Sequence, residues 1–260
     1  MTFLGIYVLA LLLVVFMMIG LWLLSLVLRD SGIVDIFWGI GFVILAIFYF
    51  ILTDGFGGRK ILVTALVVIW GLRLASHIGY RNIGKPEDFR YKRWREKYGR
   101  DYWWVSFFLV FLLQGTVMWL VSAPVLVAQY HSAPAYFTLF DIAGAFLWSV
   151  GFFFEAVGDW QLMRFKADPA NQGKVMNRGL WRYTRHPNYF GDSVQWWAFY
   201  LIAISVPWGL LTIFSPVLMT YLLVYVSGVA MLERSMRKKP KYDEYMRRTS
   251  KFFPMPPRRS

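Results

Sequence analysis

Seven stretches of this chain are apolar for about as long as a helix needs to cross a bilayer, roughly 20 residues. They run over about 3–28, 33–53, 61–80, 103–127, 138–163, 189–206 and 208–232. Only Val206-Pro207-Trp208 separates the last two, so that pair reads as a tight re-entry or as one broken helix. A soluble domain of 260 residues has too little interior to hide a chain that is 58% hydrophobic and 20% aromatic. The expected fold is therefore all-α and integral to a membrane: seven transmembrane helices forming a single domain over 1–260. The first run reaches about Leu28 and lacks a basic start, so no cleaved secretory signal is expected.

The basic residues orient these spans. Of 28 Lys and Arg, eight fall in 81–100, six in 164–185 and ten from Arg234 onward. These three places follow spans three, five and seven, which end on one side. The positive-inside rule makes that side cytoplasmic, with the amino terminus outside and the carboxyl terminus inside. The net charge of +13 is thereby explained by topology and by attraction to membrane lipid headgroups. Nucleic-acid binding is not expected, because the cations flank spans and do not form a soluble basic domain. There is no cysteine, and His77, His131 and His186 lie far apart, so no metal site is expected.

Charges at membrane depth are costly, and each is a functional candidate by default. Asp35 opens span two beside Trp38. Arg73 and His77 lie four apart on one face of span three, and Arg81 continues that face. Glu155 and Asp159 are four apart in span five, with Lys166 seven further on. Asn188 and Asp192 repeat the spacing in span six, with Gln195 a turn later. The stripes could merely pair with one another, Arg73 with Asp35 or Glu155, and lock the bundle. Their crowding toward the cytoplasmic ends fits a shared polar cavity better. After span three, Asp88 to Tyr98 reads as an interfacial amphipathic helix. Pro187 is placed as the first helical residue of span six. The free N–H groups at that helix start favour an anion such as phosphate, with Arg185 and His186 just before it.

Several segments resemble a known family. Residues Asn177-Arg178-Gly179-Leu180-Trp181-Arg182-Tyr183-Thr184-Arg185-His186-Pro187-Asn188-Tyr189-Phe190-Gly191-Asp192 look like the signature of the bacterial DUF1295 membrane proteins. Those proteins resemble the carboxyl-terminal domain of steroid 5α-reductases. Trp70-Gly71-Leu72-Arg73-Leu74, Glu87-Asp88-Phe89-Arg90-Tyr91 and the tail from Lys239 to Pro254 fit the same pattern. The Arg-His-Pro-Asn-Tyr core is also similar to that of isoprenylcysteine and phospholipid methyltransferases, which use S-adenosylmethionine.

The first resemblance implies a seven-helix membrane reductase, a monomer in the bacterial inner membrane, using NADPH. It would deliver a hydride to the β carbon of an apolar enone such as a 3-oxo-Δ4-steroid. By resemblance the cofactor-binding part is about 150–256, with Asp159, Lys166, Gly179, Tyr183, Asn188 and Asp192 at cofactor positions. Arg185 and His186 belong to the same motif, while Arg81, Asn82 and Arg234 fall near further contacts. At the substrate end the steroid enzymes use a Glu and a Tyr. Here Asp35, Arg73 and His77 are the candidates, and the Tyr has no evident counterpart. A non-enzymatic lipid-binding or scaffolding protein is the third reading.

Overall fold

A computed structural model describes residues 1–226, 228–237 and 240–258, and the side chain of Ser235 lies outside that description. Among the described residues the structure is helical, and the bridge between Thr184 and Ser250 is its only β pairing. Six stretches are long and apolar enough to cross a membrane: Phe3–Leu28, Ile33–Leu52, Gly57–Asn82, Phe89–Tyr130, Leu139–Ala167 and Gly209–Arg234. This is a multi-pass membrane protein. Outward side chains bear that out: Leu4, Phe16 and Val27 on the first helix are 68%, 76% and 80% exposed, a surface water would not tolerate but lipid does. The remaining expected span is the helix Pro187–Ala203, whose 17 residues put it at the short limit for a crossing.

The chain divides into two compact units. The first comprises Met1–Thr138 and Ala203–Thr212. It contains α1 (Phe3–Leu28), α2 (Ile33–Leu52), α3 (Gly57–Asn82) and the charged α4 (Phe89–Tyr98). A broken run then follows through α5 (Tyr102–Ser106), a π-helical segment Phe107–Leu112, α6 (Leu113–Val121) and α7 (Ala123–Tyr130). Thr2 caps α1 by accepting from Gly5 N at 3.2 Å, and Asp88 caps α4 by accepting from Arg90 N at 2.9 Å. The backbones of α2 and α3 touch where two glycines face each other. A Cβ on Gly39 would lie 2.3 Å from the Gly71 carbonyl oxygen. Phe42 and Trp70 fill the space beside this contact, with ring centres 5.5 Å apart.

The second unit comprises Leu139–Ile202 and Ile213–Ser260. It holds α8 (Leu139–Ala167), α9 (Pro187–Ala203), α10 (Phe214–Tyr221), α11 (Val229–Met236) and α12 (Tyr242–Arg248). Helix α8 presents Gly144, Gly151 and Gly158 at seven-residue intervals, a spacing that keeps them on one face. A Cβ on Gly151 would lie 2.7 Å from Gly191 O, and one on Gly191 2.4 Å from Gly151 O. Two helices that close have no room for side chains larger than hydrogen at the crossing. Pro187 begins α9, as its fixed φ and missing N–H favour.

Candidate functional site

In the second unit, the glycine contact brings two polar stripes face to face. Asn188 Nδ2 donates to Asp159 Oδ1 at 2.9 Å, and Gln195 Nε2 donates to Glu155 Oε2 at 2.6 Å. Both acids are buried, as are Gln195 and Asp192. Asp159 and Asn188, both expected at a cofactor position, are thus directly bonded. The carbonyl oxygens Oδ1 of Asn188 and Oε1 of Gln195 are buried and accept no hydrogen bond among the described residues. Such acceptors are rare in folded proteins and mark a site or a water position.

The loop before α9 is built from turns and fastened at both ends. Gly179 has φ +58°, and a Cβ there would meet the Gln161 side chain at 2.5 Å. Only glycine satisfies both demands. The next residue closes the contact, Leu180 N donating to Gln161 Oε1 at 3.0 Å. Trp181 Nε1 donates to Gly158 O at 3.0 Å, so the buried indole reaches the third α8 glycine.

The tail then straps the loop. Arg185 N donates to Ser250 O at 2.9 Å, Thr184 Oγ1 to Phe252 O at 2.8 Å, and Met255 N to Tyr183 O at 3.0 Å. Tyr245 Oη donates to Trp181 O at 2.5 Å. Phe190 lies edge-on to Phe252 and Phe253, and with Tyr189 it packs against an apolar cluster of Val224, Val229 and Phe252.

Arg185 and His186 are both turned inward. Arg185 Nη2 pairs with Glu233 Oε1 at 2.8 Å while its Nη1 donates to Met246 O at 2.9 Å. His186 Nε2 lies 3.3 Å from the same Glu233 oxygen, and its ring stacks on Tyr189. Burial pushes the His186 imidazole below its ordinary value, more than the Glu233 carboxylate pulls it up. Burial likewise pushes the Tyr242 phenol up to about 12, and raises that of Tyr245.

Beside this loop is a cleft of about 860 Å³ whose cations are Lys174, Arg178, Arg182, Lys241 and Arg248. Gly179 and Tyr245 also line it, and Glu244 is its acid, paired to Arg248 at 3.5 Å. Tyr183, Lys166 and Arg234 stand exposed in this unit, on the loop, at the end of α8 and on α11 respectively.

In the first unit, Asp35 is held by a residue that sequence reasoning did not select. Arg90 Nη2 meets Asp35 Oδ2 at 2.5 Å, and its Nε donates to Asp88 Oδ1 at 2.9 Å. Tyr91 Oη donates to Asp35 Oδ1 at 2.8 Å and accepts from Gln114 Nε2 at 3.3 Å. Tyr91 is 2% exposed. Arg95 grips Glu87 with two bonds of 2.9 and 3.0 Å, and Glu87 accepts from Ser31 N, so α4 is clipped to the entry of α2. Burial works against ionisation of Asp88, but the bonds from Arg90 hold its carboxyl below the ordinary value. Arg73 and His77 are half-buried on α3; Arg81 is exposed at its end and donates from Nε to Asn82 Oδ1 at 3.1 Å.

The only sequence signal for Arg90 and Tyr91 was the resemblance of Glu87–Tyr91 to the family pattern. Glu233 carried no signal except its place before the tail. Gln161 was silent, and Trp181 stood only as one residue of the family-like 177–192 segment.

Comparison with known proteins finds one matching family model. The model of a family described as a protein of unknown function, DUF1295, matches residues 21–249. The chain is also similar to an uncharacterized protein of Schizosaccharomyces pombe, 26% identical over 265 residues, covering 90% of this chain and 75% of the yeast protein. No solved structure matches.

Proposed function

The chain belongs to the DUF1295 family, and on that premise we propose that it is an NADPH-dependent membrane reductase of an activated C=C bond. The substrate class is a flat apolar enone such as a 3-oxo-Δ4-steroid, reached from the membrane lipid. In this reading α9 is the sixth of seven crossings, the amino terminus is outside and the basic loops are cytoplasmic. In a bacterium the membrane is the inner one.

The observation that carries the reading is the cationic cleft beside the 177–192 motif. NADPH bears a pyrophosphate and a ribose 2′-phosphate, and arginines recognise such groups through paired N–H donors. Lys174, Arg178, Arg182, Lys241 and Arg248 fit that donor requirement. The cleft volume of about 860 Å³ also falls in the range of small-molecule sites. Gly179 lines the cleft and presents its backbone there. Asn188 Oδ1, buried and unpartnered at the start of α9, is a further acceptor that the motif offers. Bound there, the cofactor supplies the hydride. Asp159 orients Asn188, and the tail strap holds the loop that carries Arg185 and His186 in place.

Reduction of an enone also needs a proton donor to the developing enolate oxygen. Asp35, Arg73 and His77 are the candidates at that end; Tyr91 spends its one proton on Asp35 and so positions the carboxyl, as Arg90 does. Arg73 and His77 remain candidates for holding the substrate carbonyl.

The test is direct. Protein purified in detergent consumes NADPH, followed by its absorbance, when progesterone or testosterone is added. Binding of S-adenosylmethionine with no binding of NADPH overturns the reading in favour of a membrane methyltransferase. Binding of neither leaves a scaffold whose polar stripes only lock the helices.

A further inference from the structure

We propose that the second unit carries another anion site, on the far side of α12, which takes the phosphate of an anionic phospholipid headgroup. Helix α12 has two charged faces. Lys241, Glu244, Tyr245 and Arg248 face the cleft already described, while Asp243, Met246 and Arg247 line a separate groove of about 600 Å³. At 100° per residue these sets lie on opposite sides of the helix. The two concavities share no lining residue.

The groove collects four cations, Arg185, Arg237, Arg247 and Lys251, against two acids, Glu233 and Asp243. Glu233 is already engaged by Arg185 at 2.8 Å and by His186 at 3.3 Å. Lys251 shares the Glu233 charge with Arg185, and Arg237 and Arg247 add two further cations against the single charge of Asp243. The surplus is positive and solvent-facing, the condition under which a phosphate oxygen is drawn in. Arg185 forms the floor: two of its donors are committed to Glu233 and Met246, and this fixes the guanidinium.

Exposed aromatic groups identify the phosphate as a lipid's and not a free ion. The Lys251 ammonium sits 5.7 Å over the Tyr225 ring, which ties the groove to the exposed face of the last apolar stretch. On that face Tyr225 and Tyr221 are 64% and 54% exposed with ring centres 5.5 Å apart, and Phe253 is 62% exposed. Tyrosines at such a position anchor to the headgroup level, and lysine and arginine beside them attract anionic lipid. An acyl chain lies along the aromatic face when the headgroup fills the groove. The site is independent of the proposed reductase chemistry.

Native mass spectrometry on delipidated protein in mixed micelles tests this. Phosphatidylglycerol is retained in preference to phosphatidylcholine, and in R247Q/K251Q that preference falls about thirtyfold, since each of the two cations near a membrane surface contributes about 1 kcal/mol. Both residues are exposed, so a Tm equal to wild type in phosphatidylcholine shows the variant is folded. The pair R178Q/R182Q, in the other cleft, leaves lipid retention unchanged. Equal retention of the two lipids, or a preference that survives in R247Q/K251Q, overturns the proposal. Displacement of the lipid by millimolar inorganic phosphate also overturns it, because the groove then serves a free ion.

Discussion

Asn188 donates its side-chain amide to Asp159 across the α8–α9 contact at 2.9 Å, and both residues lie within the stretch 21–249 that matches the family. The bond joins two roles that are separate in the sequence, a buried acid and an amide at a helix start. Asn188→Ala deprives Asp159 of that donor. The expected loss is about 1–2 kcal/mol of stability, read as a lower Tm in detergent, together with loss of NADPH binding. An N188A protein that binds NADPH as wild type does would remove Asn188 from the cofactor site.

The glycine ridge makes a sharper stability prediction. Gly151→Ala places a Cβ 2.7 Å from Gly191 O and forces α8 and α9 apart. Overpacking of this kind costs about 1–3 kcal/mol. Gly20→Ala on α1 meets nothing within 4 Å, and gains about 1 kcal/mol of helix propensity. Thermal unfolding of the two variants should therefore move in opposite directions. Destabilisation by both would mean the close approach is not what matters at Gly151.

Tyr91→Phe keeps the ring and removes the phenolic proton. Asp35 keeps its bond to Arg90 but loses that of the phenol, and Gln114 loses its acceptor. The expected loss is about 1–2 kcal/mol of stability, read as a lower Tm in detergent with NADPH affinity unchanged. A wild-type Tm in Y91F would show that the phenol is not what holds Asp35.

His186 gives the site a pH dependence with a definite sign. Its imidazole is neutral in the fold because burial pushes it below the ordinary 6.5. As pH falls below that value the unfolded chain takes up a proton before the folded one does, so the native state loses stability. The contribution is complete above about pH 6.5 and declines as pH drops toward the lowered folded value. Tm measured from about pH 8 to about pH 5 should fall in wild type and fall less in His186→Gln. Identical profiles would show that Glu233 and its cationic neighbours Arg185 and Lys251 already absorb the change.

Much of this architecture is written in hydropathy, because a membrane span is a local property. Phe3–Leu28 and Ile33–Leu52 match the expected runs to within a residue, and Pro187 starts α9 where its chemistry predicts. Four-residue spacings correctly put Glu155 with Asp159, and Asn188 with Asp192, on single faces. Partnerships across the chain were not legible. The sequence offered Arg73 with Asp35 or Glu155; the structure brings Arg90 and Tyr91 to Asp35 from 55 and 56 residues away. Nothing local to Asp35 announces that α4 folds back over the entry of α2. Arg185 and His186 stood out through the family-like motif, and nothing local to them announces Glu233, to which both turn. Both partnerships were hidden for one reason: charge is visible in a sequence, but the partner it meets depends on distant chain.

The bridge between Thr184 and Ser250 also sets an order of events during synthesis. Helix α9 is synthesised before Ser250 has been translated. Until then the 183–186 loop has no strap, and its carbonyls and N–H groups answer only to water. Synthesis of the loop and its fastening are therefore successive stages of biogenesis. A ribosome that stalls between Arg248 and Ser250 releases a chain with α1 to α11 complete and the loop undone, and such a product is expected to fall to proteases.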